Sequence, residues 1–411
     1  MLFVSENILY DAIVVGGGPG GSSAAAFLAA KGRKVLLLDK EKWPRDKTCG
    51  DAISGKSLKI LRELGLIEKI EKADHGEVIG ITFSSPNGKA VTIPFSKDGP
   101  GIKKGYVCRR QVFDHLLWKV AANAADTYEC ATVTGVVREN GKIAGVKARM
   151  QDGAEMEFLG KLIIGADGAS SLLAREARGN EVDAAHTCIA YRAYYSGIAS
   201  LNSTLEIHFV KSIMPGYFWI FPLENGLANV GIGMIMEDMK ATNINLQKAL
   251  LDIIEKNPLF AERFKTAKQV TPIKAWSLPF GSKRRKVHDD NVLLVGDAAG
   301  LVDPFSGEGI GNALLSGKLA AQVADRALAA KDTSEVFLSE YEELLWKEVG
   351  DELARSYKIQ QLGRNEWLLN FVIARAASSA KARQEIAGTF SNSEAKKGYA
   401  DPLFYLKLLF S

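Results

Sequence analysis

Three short runs of consecutive apolar residues each stop at a glycine: Ile13-Val14-Val15 before Gly16, Leu162-Ile163-Ile164 before Gly165, and Val292-Leu293-Leu294-Val295 before Gly296. Runs with no polar alternate fit strands covered on both faces, as in a parallel sheet between helix layers. A fourth run, Val35-Leu36-Leu37-Leu38, ends in Asp39. Small residues from Gly21 through Leu28 predict a helix between the first two runs, and Gly307-Glu308-Gly309-Ile310-Gly311 opens another that extends to about Ala330. Further helices are predicted near Ser54 to Leu64 and Gln111 to Ala125. Everything beyond Ser334 reads as helical except a polar break at Ser391 to Gly398.

A different pattern occupies the intervening stretches. Val78 to Phe83, the turn signal Pro86-Asn87-Gly88 and Ala90 to Phe95 predict a hairpin. Val133 to Val146 reads as a strand pair turned at Glu139-Asn140-Gly141-Lys142, and strand-like runs dominate His186 to Met236. The expected fold is therefore α/β: a Rossmann-like domain on a parallel sheet, a second mixed or antiparallel β-sheet lobe, and a helical C-terminal region. The expected division assigns 1–75, 105–180 and 285–330 to the first domain, 76–104 and 181–284 to the second lobe, and 331–411 to the helical region. A length of 411 residues exceeds the usual single core, which agrees with more than one lobe.

Bulk chemistry excludes more than it selects. Hydrophobic content of 47% and charged content of 24% are ordinary for a globular chain. A net charge of +4 is too small to point to nucleic acid, and the basic cluster Lys283-Arg284-Arg285-Lys286 reads as a solvated loop before a strand. Four scattered cysteines, Cys49, Cys108, Cys130 and Cys188, form no C-x-x-C pair, so reduced thiols and a cytoplasmic location are expected. The five histidines show no metal-ligand spacing, so no metal is expected. The N-terminus lacks the features of a secretory signal, and no stretch reaches bilayer-spanning length.

The chemistry sits where the apolar runs end. Gly16, Gly18 and Gly21 form G-x-G-x-x-G: the first allows a tight turn, the second close approach of a pyrophosphate, the third close packing of helix on sheet. Pro19 suits the first helical turn, where its missing N–H is not needed. The helix N-terminus beginning at Pro19 and Gly20 presents free N–H groups and a partial positive charge. Asp39, about 20 residues on, stands where a ribose-binding acid belongs. Gly165-Ala166-Asp167-Gly168 and Gly296-Asp297-Ala298-Ala299-Gly300 repeat the strand, glycine, acid ending. An extended flavin dinucleotide requires three such separated segments, where a nicotinamide nucleotide alone does not. The polar loop from Lys40 to Asp51 is longer than a minimal turn, as a surface excursion or a cofactor cover would be.

Together the glycine turn, Lys47-Thr48-Cys49-Gly50, Arg110-Gln111-Val112-Phe113-Asp114, Asp167-Gly168, Tyr217-Phe218-Trp219-Ile220-Phe221-Pro222, and Gly296-Asp297 with Pro304 and Gly307-Glu308-Gly309 carry a resemblance. The chain resembles the p-hydroxybenzoate hydroxylase-type FAD-dependent oxidoreductases and, within them, the geranylgeranyl reductase family. It departs at Thr48, where that family commonly has proline, and at Asp51, where glycine is common. The resemblance implies FAD held by Gly16, Gly18, Pro19, Gly20, Gly21, Asp39, Lys40, Cys49, Gly50, Asp51, Arg110, Asp167, Gly168, Gly296, Asp297, Pro304, Gly307, Gly309 and Ile310. Asp297 would accept from ribityl hydroxyls and Asp39 from the adenosine ribose. Arg110 would pair with the pyrophosphate or support the flavin, the bland alternative being a surface cation. The helix from Gly309 would aim its positive end at the flavin.

Tyr217, Trp219 and Phe221 share one strand face, as core packing or as a substrate wall for an isoprenoid chain. Cys49 is either a small buried residue or a catalytic thiol beside flavin and substrate. The implied activity is reduction of prenyl carbon–carbon double bonds, with an aromatic hydroxylase-type monooxygenase or a flavin-dependent halogenase as the alternative. Halogenases resemble the aromatic run but carry two tryptophans there, and Tyr217 replaces the first. The electron donor is open among NAD(P)H, a ferredoxin-type protein and a quinol, since no second dinucleotide fingerprint follows a strand. The apolar run Pro402 to Phe410 fits either a terminal helix on the protein's own core or a peripheral membrane contact.

Overall fold

The computed structural model describes residues 8–95, 104–179 and 182–383. The Ser391 to Gly398 break and the Pro402 to Phe410 run lie outside the described residues.

The apolar runs assemble side by side. In an eight-stranded sheet, Leu9–Val15 lies between Glu155–Gly165 and Val35–Leu38, parallel to both, and Val292–Leu294 adds in parallel beyond Glu155–Gly165. The register pairs Val15 with Gly165 and with Leu38, so the glycine and acid endings arrive at one carboxyl edge. Asp126–Tyr128 and His288–Asp289 close the two sides, and the hairpin Thr132–Glu139 with Lys142–Arg149 extends Glu155–Gly165. That strand begins earlier than its apolar run because its first half pairs antiparallel with Lys142–Arg149 and alternates in burial.

Two helices cover this sheet at very short range. Pro19–Ala29 starts with Pro19 and crosses Ile310–Ala330, where a Cβ on Gly317 would lie 2.2 Å from the Gly20 carbonyl. Small residues permit this approach and the dense contact that follows. Ser23 Oγ donates to the Leu314 carbonyl at 2.8 Å and ties the pair.

The second sheet also has eight strands, with Thr187–Ser196, Leu227–Ile235, Tyr217–Pro222 and Leu205–His208 antiparallel in succession. Leu205–His208 pairs in parallel with Gly80–Ser84, which forms the hairpin with Ala90–Pro94. The predicted single strand from Val78 to Phe83 is corrected here. Gly76–Val78 belongs to a separate three-stranded sheet with Ala52–Ile53 and Gly105–Val107. The chain changes sheets at Ile79, whose side chain is exposed and whose N–H donates to the Ser203 carbonyl.

One face of the second sheet is buried under the helix Leu246–Lys256, with Phe218, Ile220, Val230 and Ile232 in that core. The other face looks toward the carboxyl edge of the first sheet. The long helix Glu335–Leu362, capped by Ser334, leads to Glu366–Ser378, capped by Asn365. Ile373 and Ala376 of the last helix bury against Ile81, Phe83, Val91 and Ile93 of the hairpin. No described helix is long and apolar enough to cross a membrane.

Candidate active site

Between the two large sheets lies one continuous cavity of about 1640 Å³. Its first part is walled by the strand endings: Gly16, Gly18, Pro19, Gly20, Asp39, Lys40, Asp167, Gly168, Gly296 and Asp297. Its second part is walled by apolar side chains, among them Ile81, Phe83, Phe209, Leu369, Val372 and Ile373. The loop Asp46 to Asp51 and the aromatic strand line it too: Lys47 reaches Asp297 of the first part, Gly50 packs on Phe221, and Tyr217 packs among the apolar residues of the second.

The glycine turn has the shape its sequence demands. Gly16 has a φ of +102°, and a Cβ there would lie 2.3 Å from the Ala166 carbonyl. A Cβ on Gly21 would lie 1.8 Å from the Gly16 carbonyl oxygen. A Cβ on Gly18 would meet only Arg45 Nη2, at 3.7 Å, so this glycine borders an opening. That opening beside helix N–H groups and a guanidinium has the shape and charge to take a pyrophosphate.

Asp39 is buried, and its two oxygens accept from Gly17 N at 2.6 Å and Glu41 N at 2.8 Å. Burial raises its pKa above the ordinary range against the pull of those N–H groups. Both oxygens keep lone pairs for hydroxyl donors. Lys40 is exposed at the rim. Asp297 Oδ2 pairs with Lys47 Nζ at 3.0 Å, so this carboxylate enters the cavity already oriented. Asp167 is engaged locally: it accepts from Ser171 Oγ and from Leu172 N, fixing the start of Leu172–Arg178, while Gly168 at φ +80° borders open space.

Arg110 is only 2% exposed, which removes the surface-cation reading. Its Nε and Nη2 donate to the two oxygens of Asp114 at 2.7 and 2.6 Å. Arg45 Nη1 reaches the same carboxylate at 2.6 Å and its guanidinium lies 4.5 Å from the Trp43 ring. Burial opposes ionisation of Asp114, but the two guanidiniums outweigh it and hold the carboxyl below its usual range. Arg110 thus remains in the cavity wall beside Cys49 with two of its five donors held by Asp114, and Arg45 is the cation nearer Gly18.

Tyr217, Trp219 and Phe221 line the cavity while Phe218 and Ile220 face the core, so alternation places the three on the cavity side. Their rings follow at 5.9 and 6.2 Å between centroids. Trp219 lies over Gly231, where a Cβ would stand 2.2 Å from its ring. Tyr217 Oη donates to the Ser306 carbonyl, and Gly307 lies against that hydroxyl. Pro304, Gly307, Gly309 and Ile310 line the cavity at the start of the helix Ile310–Ala330. The positive end of that helix is shared, since Gly311 N donates to Glu308 Oε1 at 2.5 Å.

Four residues of this site escaped the sequence reading. Arg192, fully buried, donates to Asp46, to the Lys47 carbonyl and to the Cys49 carbonyl. Asn229, also buried, donates to the Cys49 carbonyl at 2.6 Å and to Asp51 Oδ2 at 2.7 Å, and accepts from Trp219 Nε1 at 2.8 Å. Tyr194 Oη donates to Asp51 Oδ2 at 2.8 Å. Arg45 is the fourth. Arg192 and Asn229 carried a readable signal, a charge and an amide inside otherwise apolar strands, because buried polar groups require partners. A Ser84–His208–Glu206 chain looks triad-like but lies on the other face, packed on Phe260 and held by Arg263. Among the described residues no group of three or more His, Cys, Asp and Glu could hold a metal ion.

Comparison with known proteins agrees with this architecture. The FAD binding domain family matches residues 9–327. Fold and cavity together define a FAD-dependent oxidoreductase. A digeranylgeranylglycerophospholipid reductase from Methanococcoides burtonii is 33% identical over 86% of this chain and 83% of its own length. A solved geranylgeranyl bacteriochlorophyll reductase-like protein from Thermoplasma acidophilum superposes with a TM-score of 0.82 at 27% identity, covering 95% of this chain and 98% of that one. The chain belongs to the geranylgeranyl reductase family. A flavin-dependent brominase shares the fold, with a TM-score of 0.77 at 21% identity over 98% of this chain and 99% of its own.

Proposed function

We propose that this protein reduces carbon–carbon double bonds of a prenyl lipid. The observation that carries the reading is the continuous cavity, which joins polar, glycine-lined walls to apolar ones and has Cys49 and the aromatic strand in its wall as well. Reduced FAD, when bound, supplies a hydride to such a bond. The glycine turn with Arg45 would hold the pyrophosphate, Asp39 the adenosine ribose, and Asp297, oriented by Lys47, the ribityl hydroxyls. Lys40, Asp167 and Gly168 would border the same nucleotide, and Gly296, Pro304, Gly307, Gly309 and Ile310 the ring end. Cys49, Gly50, Asp51 and Arg110 would form the wall beside the ring.

Tyr217, Trp219 and Phe221 would lie along the prenyl chain, and the apolar wall beyond them would exclude water from the reacting carbons. That water-poor chamber favours an apolar chain over a small polar acid. A substrate dissolved in a bilayer also calls for peripheral membrane contact, for which flotation of the full chain with lipid vesicles, against one ending before Pro402, is the test.

The deciding experiment is anaerobic. The flavin is reduced with NAD(P)H or a ferredoxin-type donor in separate trials, and candidate prenyl lipids are then added. Reoxidation by a prenyl lipid, with saturated product, supports the reading. Failure of every prenyl lipid to reoxidise the flavin, together with oxygen consumption coupled to hydroxylation or halogenation in a parallel aerobic assay, overturns it.

A further inference from the structure

Asp51 has no exposed surface, lies in the cavity wall, and adopts a φ of +66°. A left-handed backbone at a residue other than glycine costs free energy and is retained where the side chain matters. The side chain is buried with asymmetric partners. Oδ2 receives both Tyr194 Oη and Asn229 Nδ2, whereas Oδ1 is buried with no hydrogen-bond partner.

Asn229 is a saturated junction. Its two amide hydrogens go to Asp51 Oδ2 and the Cys49 carbonyl, and its oxygen accepts from Trp219 Nε1. Only one orientation of the amide satisfies all three, because the reverse one sets an acceptor against two acceptors. The loop it grips is further tied by Asp51 N, which donates to Cys49 Sγ at 3.4 Å, and by Arg192, which donates to the Cys49 carbonyl. Gly50 is pressed against Phe221, with a Cβ there only 2.9 Å from the ring. Displacement of Asn229 therefore moves the thiol loop and the aromatic wall together.

We propose that Asp51 is a positioning residue of this reductase site, whose ionised carboxylate fixes Asn229 and, through it, the Cys49 loop and the Trp219 indole. The proposal rests on the reductase reading in that Cys49 and Trp219 flank the reacting bond. The groups facing Asp51 are Arg192 and Tyr194 on one strand, Asn229 on the next, and Arg110 and Cys108 from the helix Arg110–Ala122 and the residues before it. Burial pushes the carboxyl up to about 6, against the opposing pull of Arg192, Asn229, Tyr194 and Arg110. Because both donors occupy Oδ2, the proton resides on Oδ1. Its removal on passing from pH 5 to 7 strengthens the two bonds to Oδ2 by making them charge-assisted.

The test uses the FAD-bound full chain labelled with ¹⁵N-tryptophan, whose six indole N–H signals are counted and the Trp219 signal identified by its loss in Trp219→Phe. Wild-type protein should show the Trp219 signal shifting with a midpoint near pH 6. Asp51→Asn, an isostere that tolerates positive φ, should abolish that shift. Tyr194→Phe, which removes one donor from the anion, should move the midpoint to higher pH. Reoxidation by the prenyl substrate should lose its acid limb near pH 6 in Asp51→Asn. A Trp219 signal with no midpoint between about pH 5 and 7.5, or one unchanged in Asp51→Asn, overturns the proposal. If the titration behaves as expected but no prenyl lipid reoxidises the flavin, the reductase reading fails and the Asp51–Asn229–Trp219 linkage stands.

Discussion

Gly21 shows how much a single missing methyl group decides. A Cβ there would collide with the Gly16 carbonyl at 1.8 Å, and both atoms belong to rigid backbone. Gly21→Ala is expected to cost about 3 kcal/mol or more, since overpacking against backbone cannot relax. Thermal unfolding with and without added FAD measures it. Asp297→Ala removes the acceptor assigned to the ribityl chain and leaves Lys47 unpaired. FAD affinity should fall by roughly 1–3 kcal/mol, about 5- to 150-fold, as read from the fluorescence of released flavin. Asp51 makes a different, pH-dependent prediction. Its folded pKa of about 6 exceeds the ordinary value of 3.8, so the native state holds the proton more tightly than the unfolded chain. The resulting stability is fully present below the unfolded value and is lost as pH rises through about 6. Wild-type stability relative to Asp51→Asn should therefore fall by about 2 kcal/mol between pH 4 and 7, read from urea midpoints at each pH.

At the level of elements, the aromatic strand Tyr217–Pro222 serves two environments at once. Phe218 and Ile220 complete the core under Leu246–Lys256, and the alternate residues form the cavity wall. The strand can do both because its neighbour Leu227–Ile235 places Gly231 and Gly233 under the indole. Gly231→Ala puts a Cβ at 2.2 Å from the Trp219 ring, whose N–H is held by Asn229. A destabilisation of about 1–3 kcal/mol is expected, together with weaker prenyl binding as the indole is pushed into the chamber. Denaturant midpoints and substrate titration check the two effects separately. The alternation of the aromatic strand was legible in sequence. Whether its aromatic face met core or cavity was not, because period two fixes which residues share a face and not what lies opposite.

The whole molecule is organised by the meeting of two sheets. The loop from Asp46 to Asp51 leaves the first sheet and is gripped by Arg192 and Asn229 of the second, contacts separated by 143 to 180 residues in sequence. The last described helix closes the apolar chamber with Leu369, Val372 and Ile373. Ala376→Trp on that helix should shrink the chamber, slow reoxidation by long prenyl chains more than by short ones, and leave FAD content unchanged. Equal slowing for all lengths would argue against a chamber measured by chain length.

The sequence by itself determined the parallel strands, the glycine turn and the acids at the sheet edge, because these depend on local periodicity and on backbone geometry that only glycine permits. It also carried the resemblance that led to a flavoprotein. Tertiary structure alone decided which charges met. Arg110 went to Asp114, Asp297 to Lys47, and Asp51 to Tyr194 and Asn229. A buried charge takes whichever partner the fold brings within hydrogen-bond reach, and that choice depends on how distant strands are laid beside one another, not on the residues next to it in the chain.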